Sequence, residues 1–224
     1  RILPPSLWRP LRAGATAVVT PLRFAFATGH WHSSLSTRAR TRSGDPLPWY
    51  TYPAIDFLAE RAFADRHVLE FGGGQSTLWW AQRAQSVTTI EEDRSWWEAL
   101  RNGLPSNVTL HHVPVDQATR TVEPVRSLLD AALRKTYDVI VIDGHLRCEL
   151  TALAFAYLAP AGILLLDNAE GYGFWEELQG RDCRRVDFYG FAPGVSRRHC
   201  TSLVFVNDAF VLDPAAPIVD PEAR

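Results

Sequence analysis

The sequence predicts an α/β fold, namely a Rossmann-like, doubly wound sheet of seven strands that is mostly parallel and has an antiparallel terminal strand. Apolar runs of strand length alternate with segments of helical periodicity from residue 51 onward. The first of these runs leads into three consecutive glycines, and several later runs end in acidic residues. Alternation of this kind is typical of βαβ units in a parallel sheet.

The composition is that of an ordinary globular protein. A chain of 224 residues with 46% hydrophobic and 21% charged residues is long enough for one α/β domain with additions. The net charge of −2 gives no indication of a nucleic-acid partner or of an anionic membrane surface. Cys148, Cys183 and Cys200 lack the spacing of a zinc site, which favours reduced thiols in a cytoplasmic protein.

Three regions are predicted along the chain. Residues 1–50 indicate an N-terminal extension of one or two short helices that lie against the domain, and residues 51–207 contain the sheet. The tail, residues 208–224, is rich in proline and alanine and is expected to be extended or disordered. The apolar segment 11–28 is interrupted by Pro21 and Arg23, so no membrane span is predicted.

The central motif is HVLEFGGGQST, residues 67–77. Glu70 stands at the end of an apolar run, and Gly72, Gly73 and Gly74 precede a segment of helical periodicity. Glycine lets the backbone approach a ligand closely, and the free N–H groups of the next helix face the loop. The motif therefore predicts a strand, a tight loop and a helix N-terminus that together bind a nucleotide.

A second acid, Glu91, ends the apolar run of SVTTIEED, 21 residues after Glu70. In nucleotide-binding βαβ units an acid at about this distance hydrogen-bonds the ribose hydroxyls, although Glu91 could instead only cap the next helix. An NAD enzyme is less favoured, because Thr77 stands where dinucleotide-binding loops carry a third glycine. The single lysine, Lys135, also has Ala131 rather than a tyrosine four residues before it.

The acid-ended strand, the three glycines and the following Ser-Thr resemble motif I of the class I S-adenosylmethionine-dependent methyltransferases, over about residues 50–207. The resemblance implies that S-adenosylmethionine is the cofactor and that its methionine end is held by four residues: Glu70, Gly72, Gly74 and Ser76. It also implies that Asp116, after the third strand, lies near the adenine. Tyr52 is expected either to contact the cofactor or to fill the core with its ring.

Oxygen-bearing side chains follow two later strands. Asp143 ends the run in YDVIVIDGH, and Asp167 and Asn168 follow ILLL. Because the carboxyl ends of parallel strands share one edge, these side chains are expected to meet in one crevice. The pattern resembles the metal-dependent O-methyltransferases of the catechol type, which implies a divalent ion such as Mg²⁺ held by all three. The alternative is a helix cap at Asp143 and an Asx turn at Asp167.

His145 is the candidate general base, because imidazole titrates near neutral pH and can take the proton of an acceptor hydroxyl. Catechol-type enzymes carry a lysine three residues after the metal-binding aspartate, and Leu146 occupies that position here. The identity of the base and a catechol acceptor are therefore left open. A metal-free alternative uses His145 and Asp143 together as the base.

The acceptor is indicated only by resemblance. The stretches GHWHSSLS and PLPWYTYPAIDFL are similar to actinobacterial methyltransferases that modify carbohydrates, including mycobacterial enzymes of methylmannose polysaccharides. This similarity implies a small-molecule or oligosaccharide acceptor, with a mannoside hydroxyl as the first expectation and a phenolic or polyketide natural product as the alternative.

Two further properties are left open. The arginine-rich residues 38–42 are expected either to be solvated or to form a lid over the acceptor, as N-terminal additions often do in this family. A homodimer is possible. A scaffold subunit that binds S-adenosylmethionine without catalysis is the alternative from another class, although the intact set of Asp143, Asp167 and Asn168 argues against it.

Overall fold

A computed structural model describes residues 4–36, 38–132 and 134–215. The seven strands are β1 His67–Phe71, β2 Ser86–Glu91, β3 Val108–His112, β4 Tyr137–Ile142, β5 Leu158–Leu166, β6 Arg184–Phe191 and β7 Arg198–Phe205. The helices are α1 Pro5–Ala27, α2 His30–Ser34, α3 Tyr52–Ala59, α4 Gln75–Ala81, α5 Arg94–Leu100, α6 Glu123–Ala132, α7 Arg147–Ala154, α8 Phe174–Leu178 and a 3-10 turn at Phe210–Leu212.

All seven strands form one sheet with the order β3-β2-β1-β4-β5-β7-β6. The pairs from β3 through β5 are parallel, and β7 runs antiparallel to both β5 and β6. This arrangement confirms the predicted mostly parallel, doubly wound sheet with an antiparallel terminal strand. The strand order reverses between β1 and β4, and ligands of open α/β sheets bind beyond the carboxyl ends of strands at such a point.

The core lies on both faces of the sheet. Residues 139–142 of β4 and 163–166 of β5 are fully buried, as expected for central parallel strands that are covered on both sides. One face packs against α3 and α4 and buries Trp79 and Trp80. The other face packs against α6 and α7 and buries Leu129 and Leu153. This two-sided packing fixes the ends of β1, β4 and β5 relative to one another.

The N-terminal extension differs from the short helices that were expected. Helix α1 is 23 residues long and continues through Pro10 and Pro21. An internal proline removes one helix hydrogen bond but need not end a helix. Most large apolar side chains of α1 are exposed, and the end of the helix packs through Phe24 against Tyr52, with the ring centroids 5.0 Å apart. Among the described residues, no helix combines the length and the apolar character needed to cross a membrane.

The first part of the tail also differs from the extended or disordered segment that was expected. Val211 is fully buried, and its carbonyl accepts a hydrogen bond of 2.7 Å from Arg61 Nε. The ring of Phe210 packs edge-on against Phe63 at 5.6 Å between centroids. Residues 209–212 therefore belong to the folded domain, whereas residues 216–224 lie outside the described part of the chain.

Candidate active site

A cavity of about 950 Å³ lies beyond the carboxyl ends of β1, β2, β4 and β5, where the strand order reverses. Eight of the site residues predicted from the sequence line it: Gly72, Gly74, Ser76, Glu91, Asp143, His145, Asp167 and Asn168. The expectation that the glycine loop and the acids after β4 and β5 share one crevice is therefore confirmed. The cavity is large enough for a small-molecule cofactor and part of an acceptor.

The glycine loop connects β1 to α4 and has two different requirements for glycine. Gly72 has a φ of 83°, and a Cβ there would lie 2.7 Å from the main-chain nitrogen of Gly144. Gly72 is therefore needed for the chain to pass closely by the end of β4. Gly74 has extended backbone, and a Cβ there would approach no atom nearer than 3.9 Å. The space beside Gly74 is left open to a ligand.

Glu91 ties this loop to the end of β2. Its Oε2 accepts a hydrogen bond of 2.9 Å from Gly73 N, and its Oε1 accepts one of 2.8 Å from Asp93 N. Burial raises the pKa of Glu91, and the two main-chain donors partly oppose this shift. Trp96 Nε1 donates to Gly73 O at 2.5 Å and closes the same side of the loop. Glu91 lines the cavity with its carboxylate held in place, and its binding of ribose stays a prediction.

Glu70 does not line the cavity, contrary to the expectation. It is fully buried, and its Oε2 accepts hydrogen bonds from Thr77 Oγ1 at 2.5 Å and Thr89 Oγ1 at 3.0 Å. Thr77 Oγ1 in turn accepts from Gly74 N at 3.0 Å. Burial raises the pKa of Glu70 to about 7. Glu70 thus stabilises the glycine loop from within the domain.

Two other residues expected at the cofactor lie elsewhere. Tyr52 is buried beneath the N-terminal extension, where its hydroxyl is 3.4 Å from His30 Nδ1. This location agrees with the alternative that its ring fills the core. Asp116 is exposed after β3, and its Oδ1 accepts from Ala118 N at 2.9 Å, so it closes a turn. Neither side chain lines the cavity.

Arg147, which the sequence analysis did not single out, lies between the ends of β4 and β5. Its Nη2 donates to Asp143 Oδ1 at 2.8 Å, and its Nη1 donates to Asn168 Oδ1 at 3.4 Å and to Asp167 O at 2.5 Å. Burial raises the pKa of Asp143 to about 6, although the charge of Arg147 opposes the shift. The three residues expected to hold a metal are therefore brought together, but around a guanidinium.

The donor set does not fit a divalent ion in this arrangement. Asp167 Oδ1 accepts a hydrogen bond from Thr201 Oγ1 at 2.9 Å. The Asp143 carboxylate and the Asn168 amide oxygen accept hydrogen bonds from Arg147. Burial, with the neighbouring charge of Asp143, raises the pKa of Asp167. Within the ranges that the structure describes, no cluster of three or more His, Cys, Asp or Glu side chains could hold a metal.

His145 is paired with a residue that the sequence analysis missed. Glu92 Oε1 accepts hydrogen bonds of 2.6 Å from both the main-chain nitrogen and Nδ1 of His145. Asp143 makes its ion pair with Arg147 instead, so the structure does not support Asp143 as the partner of His145 in a base pair. The acid run Glu91, Glu92 and Asp93 at the end of β2 was the available signal, but the spacing rule pointed only to the first acid.

Comparison with known proteins agrees with this geometry. Residues 69–169 match the sequence family described as a methyltransferase domain. The match begins in β1, includes the glycine loop and ends just after Asn168. The matched region contains Gly72, Gly74, Ser76, Glu91, Asp143, His145, Asp167 and Asn168, all of which line the cavity. A search among curated proteins found no match.

Solved structures of several methyltransferases have the same fold as this chain. The O-methyltransferase TomG from Streptomyces achromogenes, in complex with S-adenosylmethionine, is 18% identical with a TM-score of 0.55, and the match covers 80% of this chain and 89% of TomG. A candidate O-methyltransferase from Klebsiella pneumoniae is 17% identical with a TM-score of 0.53, and the match covers 88% of this chain and 95% of that enzyme. An O-methyltransferase from Bacillus cereus, in complex with S-adenosylhomocysteine, is 14% identical with a TM-score of 0.50, and the match covers 69% of this chain and 78% of that enzyme. The family match covers residues 69–169, and the three solved structures share the fold of this chain.

Proposed function

We propose that this protein transfers the methyl group of S-adenosylmethionine to a hydroxyl of a sugar, with a mannoside as the first candidate acceptor. The observation that carries the proposal is one cavity that combines the glycine loop, Glu91 and a carboxylate-bound imidazole at His145. The first two provide the setting for an adenosyl cofactor, and the third provides a base.

The chain's own residues account for the chemistry. The bond from the sulfonium sulfur to the methyl carbon breaks as the acceptor oxygen bonds to that carbon, and S-adenosylhomocysteine leaves. The hydroxyl proton passes to Nε2 of His145, while Glu92 holds Nδ1. Holding the two reactants in line supplies much of the acceleration, about 7–11 kcal/mol in well-oriented systems.

The acceptor side of the cavity suits a ring-shaped molecule. The lining includes the exposed side chains of Trp49 and Tyr172, which provide flat apolar faces, and the arginines Arg38 and Arg197, which provide hydrogen-bond donors. Aromatic faces with nearby donors can bind a sugar, and the sequence resemblance to carbohydrate methyltransferases favours that class. The same aromatic faces favour the second candidate, a phenolic or polyketide natural product.

The first test is calorimetric titration with S-adenosylhomocysteine and, separately, with NAD. We expect binding of the first compound and not of the second. Transfer of label from methyl-labelled S-adenosylmethionine is then measured on mannosides, manno-oligosaccharides and phenols, each with and without EDTA. Failure to bind S-adenosylhomocysteine would refute the proposal. Label on phenols but not on mannosides would select the second candidate.

Two remaining alternatives are separated by the same measurements. Binding of S-adenosylhomocysteine without transfer to any acceptor would favour a non-catalytic scaffold. A metal-assisted reaction, as in the catechol-type enzymes, would require Arg147 to release Asp143 and Asn168, and it would be recognised by loss of transfer in EDTA and recovery with Mg²⁺.

A further inference from the structure

Arg147 begins helix α7, directly after Leu146, whose φ of 51° lies in the left-handed region. The chain turns sharply there, and the arginine side chain lies across the ends of β4 and β5 with only 9% of its surface exposed. The ring of Tyr172 stacks on the guanidinium, with 4.0 Å between Arg147 Cζ and the ring centroid. A buried arginine in this position is a structural element of the site rather than a surface charge.

The guanidinium has five N–H groups, and the structure gives it five acceptors. Nε donates to Gly144 O at 3.0 Å, and Nη2 donates to Asp143 O at 3.0 Å and Asp143 Oδ1 at 2.8 Å. Nη1 donates to Asp167 O at 2.5 Å and Asn168 Oδ1 at 3.4 Å. A single cation is therefore surrounded by the oxygens of both strand ends.

We propose that Arg147 is a built-in cation that takes the position of a divalent metal ion, so that methyl transfer by this protein is independent of metal. The proposal rests on the proposed function, and it assigns Arg147 as a positioning residue. A divalent ion bound to Asp143 and Asn168 would lie beside a fixed positive charge and would compete with it for the same oxygens. Arg147 instead neutralises Asp143 and joins β4 to the turn after β5.

In this arrangement Arg147 and His145 have separate roles. Because all five N–H groups of Arg147 are used, it has none left for an acceptor hydroxyl. The orientation of Asp143 and Asn168 depends on Arg147, and removal of the acceptor proton depends on His145. An enzyme of this design should keep its activity in a chelator.

Manganese provides a direct probe, because free Mn²⁺ has a strong electron paramagnetic resonance signal that decreases on binding. Five proteins are titrated: the wild type, Asp143→Asn, Arg147→Lys, Arg147→Ala, and Arg147→Ala combined with Asp143→Asn. We expect the wild type and Arg147→Lys to bind no Mn²⁺ beyond that bound by Asp143→Asn. Removal of the guanidinium in Arg147→Ala should free the oxygens and create one site, at least tenfold tighter than any in the wild type.

The wild-type arm is decisive even if Arg147→Ala does not fold. One Mn²⁺ bound per wild-type chain, lost in Asp143→Asn, would overturn the proposal. Failure of a folded Arg147→Ala variant to gain a site would also contradict it. Calorimetric titration of S-adenosylhomocysteine with and without EDTA is run in parallel, and we expect the same affinity in both. Absence of S-adenosylhomocysteine binding would refute the proposed function but would leave the Mn²⁺ comparison valid.

Discussion

Glu92 Oε1 lies 2.6 Å from the main-chain nitrogen and 2.6 Å from Nδ1 of His145. The Glu92 side chain is 11% exposed and that of His145 is 56% exposed, so a largely buried carboxylate fixes a more exposed imidazole. A carboxylate at Nδ1 keeps the proton on that nitrogen. Nε2, which has no hydrogen-bond partner among the described residues, is then available to accept a proton.

Substitutions in the Glu92–His145 pair are expected to lower turnover without weakening cofactor binding. His145→Asn should lower kcat by roughly 10²- to 10⁴-fold, since it removes the proposed base. Glu92→Gln should lower kcat by roughly 10- to 10³-fold, because it leaves the imidazole without its carboxylate. Initial rates on the acceptor found in the first screen measure both effects, and the affinity for S-adenosylhomocysteine should stay within about twofold.

Nitrogen NMR of the histidine rings separates orientation from a general structural effect. In the wild type the neutral form of His145 should carry its proton on Nδ1, and this preference should weaken in Glu92→Gln. An unchanged tautomer together with unchanged kcat would show that Glu92 does not position the imidazole.

The glycine loop offers a matched pair of variants. Gly74→Ala adds a methyl group that meets no protein atom nearer than 3.9 Å, so stability should be nearly unchanged. Because Gly74 lines the cavity, the same methyl group should weaken S-adenosylhomocysteine binding by about tenfold or more, or about 1.4 kcal/mol. Calorimetric binding and thermal unfolding are measured together.

Gly72→Ala is the contrasting control. Its methyl group would lie 2.7 Å from Gly144 N at a φ of 83°, so the free energy of unfolding should fall by about 1–3 kcal/mol. Equal effects of Gly74→Ala and Gly72→Ala on stability would contradict the assignment of separate roles.

Glu70 predicts a pH dependence of stability. Its pKa is about 7 in the folded chain, above its usual 4.5, so the folded state binds more protons than the unfolded state between these values. The free energy of unfolding should therefore fall as pH rises from about 4.5 to about 7, by up to about 3 kcal/mol from this group. Glu70→Gln should remove this part of the slope in urea unfolding curves. If the free energies of unfolding of the two proteins changed with pH in the same way, Glu70 would not contribute to the pH dependence of stability.

The folded part of the tail predicts the effect of truncation. Removing all residues after Asp208 deletes the buried side chains of Ala209 and Val211 and the ring of Phe210 on Phe63. The free energy of unfolding should fall by about 2–4 kcal/mol. A chain ending at Ala215 keeps these contacts and is the control. Equal stability of the two truncated chains would show that this turn adds nothing to the domain.

The sequence predicted the sheet well because the strands that form its centre are buried on both faces. Such strands must be continuously apolar, as residues 139–142 and 163–166 are, and few other structures accommodate runs of that length. The N-terminal helix and the tail were less predictable. Prolines at positions 10 and 21 suggested breaks that α1 does not have, and the few apolar residues near Val211 gave no periodic signal.

The sequence by itself determined which side chains meet at one edge of the sheet, because the glycine loop, Glu91, Asp143, His145, Asp167 and Asn168 each stand at or just after the end of a strand. Only the tertiary structure decided how these groups are paired. Glu92 and His145 form a hydrogen bond although they are 53 residues apart in the sequence, and Arg147 and Asn168 do so at a separation of 21 residues. Pairings of this kind depend on side-chain direction and on the distance between neighbouring strands. No local pattern encodes either quantity, and the same strand ends could have held a metal ion or, as here, an arginine.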